Sequence, residues 1–148
     1  MKLVVAAVGR VKEPELRVLL DDYYGRVRRY AELTEVELKD EREDRVVAQF
    51  ERCLAAQGER AELVTLEVEG RAMTSEAFAA KVDDAMRRAV TPVFAIGGAE
   101  GLPAAVRAKA RWRLSLGAMT LPHRLARLIL AEQVYRAFSI IRGEPYNK

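Results

Sequence analysis

Residues 94–148 read FAIGGAEGLPAAVRAKARWRLSLGAMTLPHRLARLILAEQVYRAFSIIRGEPYNK. Two short apolar runs, Phe94–Ile96 and Leu114–Leu116, each lead into a loop of small residues. The first loop is Gly97-Gly98-Ala99-Glu100-Gly101, and the second is Gly117-Ala118-Met119-Thr120-Leu121-Pro122-His123. A long apolar helix, from about Pro122 to Arg142, and a short polar tail follow. Strand ends that open into loops with exposed backbone are where α/β sheets bind ligands. This stretch therefore predicts a small-molecule-binding α/β domain whose site lies near its C-terminal end.

The rest of the chain repeats the alternation. Leu3–Val8 is a continuous Val-rich run stopped by Gly9, the pattern of a buried strand. Pro14 suits the first turn of a helix to about Tyr30, with Leu16, Leu19, Leu20 and Tyr23 on one face. Leu33–Leu38 alternates as a second strand, and Asp40–Asp44 is a charge run suited to a loop or helix start. Val46 to Gln57 is amphipathic, with Gly58 at its natural stop. Leu63–Val68 is a third strand closed by Gly70. Thr74 or Ser75 caps a helix whose apolar face is Phe78, Val82, Ala85 and Met86. Pro92–Ile96 is the fourth strand and Leu114–Leu116 the fifth, with a helix starting near Pro103 and carrying Val106 and Ala110 between them. Strands alternating with helices predict a mostly parallel sheet with helices on both faces. No repeat, linker or low-complexity segment divides the chain, so residues 1–148 are read as a single domain.

The last helix carries two neighbouring apolar stripes, Leu130, Val134, Ala137, Phe138 and Ile141 beside Leu125, Leu128, Ala131 and Tyr135. That arc is wider than a one-sided surface helix needs. It fits either a helix central to its own fold or one shared with a homodimer partner, the commonest oligomer. Glu132 and Arg136 stand one turn apart in the favourable order for an ion pair.

Composition narrows the function. Half of the residues are apolar and 32% charged, which is normal for a globular protein. No apolar run reaches the roughly 18–20 residues that span a bilayer. The opening Met1–Val8 superficially resembles a signal peptide but lacks a cleavage pattern, so a first strand and a cytoplasmic location are expected. The single Cys53 cannot form an intrachain disulfide and reads as a small core or surface residue. Net charge is +3, from 19 Arg and 6 Lys against 22 acids. Arginine suits phosphate recognition, although a GC-rich genome using Arg on solvated faces gives the same excess.

Few residues can carry covalent chemistry. No Cys/His cluster exists for structural zinc, and no nucleophile elbow appears. Glu67, Glu69 and Glu100 are scattered around predicted strand ends. The Gly97-Gly98-x-x-Gly101 loop is neither a dinucleotide fingerprint nor a P-loop. It fits a tight turn as well as a backbone cradle for a polar ligand. The Gly117–Leu121 loop pairs backbone amides with apolar side chains, which suits an adenine ring, or simply places Met119 and Leu121 in the core. His123, the only histidine, is either a general base or a packing residue at a helix start. Arg142, Tyr146, Asn147 and Lys148 in the tail combine cations, an aromatic and an amide, the tools for gripping RNA.

The chain resembles the RlmH family of small SPOUT-class methyltransferases. The likeness spans the full length and rests on MKLVVAAVGRVKE, VTLEVEG, FAIGGAEGL, SLGAMTLPHRLARLILAEQVYRAFSI and the terminal RGEPYNK. It implies S-adenosylmethionine-dependent N3-methylation of a pseudouridine in 23S rRNA at the ribosomal subunit interface. It also implies a C-terminal trefoil knot and a homodimer. Carried over by residue, cofactor contacts are expected at Leu66, Gly97, Leu116, Gly117, Ala118, Met119, Thr120 and Leu121. The tail is expected to come from the partner subunit, with Arg142, Tyr146, Asn147 and Lys148 meeting RNA and Tyr146, Lys148 and His123 closest to the chemistry. No metal and no membrane contact are expected. The family usually ends Pro-Tyr-His-Lys, whereas this chain has Asn147, which cannot replace a histidine as a base. Other readings are a related methyltransferase with another RNA target and a non-catalytic ribosome-binding protein.

Overall fold

The computed structural model describes residues 1–148. Five strands, β1 (Lys2–Val8), β2 (Glu32–Leu38), β3 (Ala61–Ala72), β4 (Thr91–Ile96) and β5 (Trp112–Ser115), form one sheet in the order β2-β1-β4-β3-β5. Every pairing is parallel. The helices are α1 (Pro14–Val27), α2 (Glu43–Ala56), α3 (Ser75–Arg87), α4 (Ala104–Arg107) and α5 (His123–Ile141). The core divides at the sheet. Leu3, Val5, Ala7, Val64, Phe94 and Ile96 face α1, α3 and α5, whereas Val4, Ala6, Val8, Val93 and Ala95 face α2 and α4. Parallel strands covered on both faces bury their whole length, which is why β1 and β4 read as unbroken apolar runs. Helix α5 packs between α1 and α3. No helix is long and apolar enough to cross a membrane.

Several boundaries move from those the sequence predicts. Helix α1 stops at Val27 rather than Tyr30, because the amide N–H groups of Tyr30 and Ala31 turn back to the Val27 carbonyl before β2. Helix α2 begins inside the charge run at Glu43, whose acids suit the positive end of a helix. Thr74 is the cap of α3, accepting the Ala77 N–H at 3.1 Å. Met86 is 36% exposed and stands outside the buried face that Phe78, Val82 and Ala85 form. The helix after Pro103 is one turn long and leaves Ala110 outside it. The Arg111 N–H donates to the Leu63 carbonyl at 2.7 Å, so the chain is already extended beside β3 there. Leu116 lies beyond the end of β5. Cys53 is buried.

Strand β3 departs most. It continues through Gly70 to Ala72, and both Leu66 and Arg71 pair with Leu114. Glu67–Gly70 therefore leave the ladder as a bulge. A Cβ on Gly70 would lie 2.8 Å from the Leu114 carbonyl carbon, so only glycine lets the two backbones touch.

Arg127 fixes the start of α5 against the sheet. Its side chain is 1% exposed. It donates to Glu37 Oε2 at 2.6 Å, to Glu35 Oε2 at 3.4 Å and to the Gly9 carbonyl at 3.1 Å. Arg17 reaches Glu35 at 2.8 Å, and the Tyr24 hydroxyl donates to the same carboxylate at 2.8 Å. Burial pushes the Glu37 carboxyl up. The Arg127 hydrogen bond, the Val11 N–H and the charges of Arg127 and Arg17 outweigh it, and its pKa falls below the ordinary 4.5. Arg127→Met leaves two part-buried carboxylates without their buried cation, and we expect a loss of about 3 kcal/mol in urea unfolding at pH 7. A carboxylate with a depressed folded pKa adds stability above its ordinary pKa and loses it as pH falls through the folded value. The gap between wild type and Arg127→Met is therefore expected to close as the pH is taken below 4.5.

Candidate functional site

All five strands point one way, so their carboxyl ends share an edge. At that edge a cleft of about 370 Å³ opens between the ends of β3, β4 and β5 and the first turn of α5. This size is that of small-molecule sites in general. The β3 bulge supplies Leu66, Glu67, Val68 and Glu69, and the β4 loop supplies Ile96 through Leu102. The β5 loop supplies Leu116, Gly117, Met119, Thr120 and Leu121, while His123 and Ala126 close the side toward α5.

Glycine shapes both loops. A Cβ on Gly97 would sit 2.4 Å from the Gly101 carbonyl carbon, because the loop folds back on itself. The Gly101 N–H donates to the Gly98 carbonyl at 3.0 Å to close that turn. Gly101 (φ +77°) and Gly117 (φ +133°) adopt backbone that other residues reach only with strain. The buried Ser115 hydroxyl holds the second turn, accepting the Gly117 N–H at 3.1 Å and donating to the Gly117 carbonyl at 3.0 Å.

The wall is apolar with a few fixed charges. Leu66, Ile96, Leu102, Leu114, Leu116 and Leu121 provide dry surface. Glu67 is clamped by Arg113 at 2.5 and 2.7 Å and by the Thr65 hydroxyl at 2.6 Å. The Arg113 hydrogen bonds, opposed by burial, hold its carboxyl below the usual range. His123 sits near Gly9, where a Cβ would lie 4.0 Å from its Nε2. Burial, then the charges of Arg124 and Arg127, lower its pKa below the ordinary 6.5. The imidazole is thus mainly neutral at pH 7. No group of three His, Cys, Asp or Glu side chains is placed to hold a metal.

The structure gathers most of the residues that the sequence singled out. Leu66, Gly97, Leu116, Gly117, Met119, Thr120, Leu121 and His123 all line one cleft. Ala118 does not line it and points to solvent at the loop tip. The tail is elsewhere. The Tyr146 ring meets Tyr135 edge-on at 4.5 Å, and its hydroxyl donates to Glu132 Oε1 at 3.0 Å. Asn147 accepts from Arg136 at 2.9 Å and donates to Glu76 at 3.2 Å. Arg142 stacks over Tyr30, with 5.7 Å from its guanidinium carbon to the ring centroid. Neither these residues nor Lys148 line the cleft of their own chain. Arg107, the last residue of α4, lines it unanticipated, because no local pattern announces that this turn ends beside the cleft.

The model of the family described as "Predicted SPOUT methyltransferase" matches residues 1–147. The chain is 50% identical over 147 residues to the ribosomal RNA large subunit methyltransferase H of Sorangium cellulosum, covering 99% of each. It is 40% identical over 159 residues to the protein of the same name in Listeria monocytogenes, covering all of both. Among solved structures, a probable methylase family protein from Haemophilus influenzae is similar at a TM-score of 0.58 and 10% identity, covering 99% of this chain and 70% of that one. The SpoU methyltransferase AviRb of Streptomyces viridochromogenes, in complex with AdoMet, is similar at 0.51 and 15%, covering 92% and 57%. The structural likenesses establish the fold alone. The match across the whole chain establishes more: it belongs to the SPOUT methyltransferase family, among the ribosomal RNA large subunit methyltransferases H.

Proposed function

We propose that residues 1–148 act as one domain that transfers a methyl group from S-adenosylmethionine to N3 of a pseudouridine in 23S rRNA within the ribosome. The observation that carries this reading is the cleft itself. In a chain half identical to a named rRNA methyltransferase, the two glycine loops and the β3 bulge converge on one cavity. Its residues fit the cofactor. Backbone groups at Gly97, Gly117, Met119 and Thr120, flanked by Leu66, Leu116 and Leu121, offer edge hydrogen bonds and dry faces to an adenine. Carboxylates at Glu69 and Glu100 suit the hydroxyls and positive charge of the remainder. When bound, the cofactor supplies a methyl group already activated on a sulfonium.

The chain then has two tasks: to align the target nitrogen and to receive its proton. Alignment supplies much of the rate in such a transfer. A neutral His123 on the cleft wall is suited to accept the imide proton. Tyr146 and Lys148 enter from a two-fold partner, with Arg142 and Asn147 contacting RNA. Support for the partner comes from α5 and α1. Most of the wide apolar arc of α5 is buried by its own fold, including Leu130, Val134, Phe138 and Tyr135. Leu125, Ile129, Leu19 and Val18 remain 43%, 36%, 45% and 70% exposed, and a second copy would cover them. The trefoil knot is part of the same proposal. It is supported by the close approach of Gly70 to the β5 backbone and by the packing of α5 between α1 and α3. Catalysis on ribosomes places the protein in the cytoplasm.

Three outcomes test this reading. Labelled methyl is expected to pass from S-adenosylmethionine to ribosomes lacking the modification, and mass mapping is expected to find it on a 23S pseudouridine. Label on tRNA alone, or cofactor binding without transfer, would refute the assignment. Gly117→Ala, which forces a side chain onto φ +133°, is expected to weaken cofactor binding about tenfold by calorimetry. The lone imidazole of His123 is expected to titrate below 6.5 by NMR, and Arg124→Gln to raise that midpoint.

A further inference from the structure

We propose that Arg107 is the subsite for the α-carboxylate of the cofactor's methionine half. The inference rests on the reading of the cleft as the S-adenosylmethionine site, and it assigns one end of that ligand. At neutral pH the ligand carries a sulfonium, an ammonium and a carboxylate. Beside the already paired Glu67, the cleft wall offers two carboxylates to the two cations, Glu69 and Glu100. For the anion it offers one permanent cation, Arg107. His123 cannot substitute, because burial and two neighbouring arginines disfavour its charged form.

Arg107 is also uncommitted. Its one ionic partner is Glu67, at 3.9 Å, beyond hydrogen-bonding distance. Glu67 is already satisfied by the Arg113 fork and the Thr65 hydroxyl, and its side chain is only 4% exposed. Arg107 therefore has its five N–H donors available on a side chain 42% exposed at the opening. Its backbone is nevertheless held: Val106 beside it is buried against β1 and β4, and the Arg107 N–H donates to the Pro103 carbonyl at 3.1 Å. A planar guanidinium on a fixed turn, facing a cavity and lacking an acid of its own, matches the bidentate demand of a carboxylate.

The discriminating probe is decarboxylated S-adenosylmethionine, which keeps the sulfonium and the ammonium and lacks only the carboxylate. By calorimetry, the wild-type chain is expected to bind S-adenosylmethionine about ten- to a hundredfold more tightly than the decarboxylated form. Arg107→Gln is expected to lose that preference by weakening the first ligand and leaving the second unchanged, and Arg107→Lys to recover part of it. A preference preserved in Arg107→Gln, or affinity for both ligands lost equally, would overturn the assignment. Failure of the wild-type chain to bind either ligand would instead remove the cofactor reading beneath it.

Discussion

One buried guanidinium joins the elements that make the site. Arg127, on the second turn of α5, is held by two carboxylates of β2 and by the carbonyl of Gly9, just after β1. A charge so fully removed from water is tolerated only when paired, and the pairing is geometrically demanding. It sets where α5 begins and how it is rotated. His123 lies one turn earlier and Ala126 one residue before, and both line the cleft. The same cluster recruits Arg17 and Tyr24 of α1. The two helices and two strands farthest from β5 are thus tied to the edge where the chemistry is proposed.

The other half of the cleft is built by backbone meeting backbone. Gly70 lies against β5, and Gly97 lies against Gly101. Each contact excludes even a methyl group. The first lets β3 leave its ladder and project Glu67 and Glu69 to the cleft. The second folds the β4 loop into a tight cup. A parallel sheet leaves carboxyl strand ends unsatisfied at one edge, and these loops turn that edge into a lined cavity. The Glu67–Arg113 pair spans β3 and β5 just below it, so the wall is fixed before any ligand arrives.

The sequence made the fold legible because burial on both faces leaves uninterrupted apolar runs, and Leu3–Val8 and Pro92–Ile96 are the clearest. The two glycine loops were visible because each follows such a run. Three things were hidden. Nothing in Leu63–Val68 announces that the strand resumes after a four-residue bulge, since its register depends on Leu114, which is distant in the chain. Residues 103–110 have helical composition, yet a hydrogen bond from Arg111 to Leu63 cuts the helix to one turn. The buried role of Arg127 is invisible locally, because arginine on a helix reads as solvent-facing. The tail's chemistry is legible, but its place is not: in its own chain it lies along α5, away from the cleft.

Everything proposed for this chain depends on the carboxyl ends of β3, β4 and β5 forming the cofactor site. The most direct test is a crystal structure of the chain grown with S-adenosylhomocysteine. The adenine is expected between the Gly97 loop and residues 116–121, with Leu66 against one face. Ligand density at any other surface, with this cleft filled only by water, would contradict it.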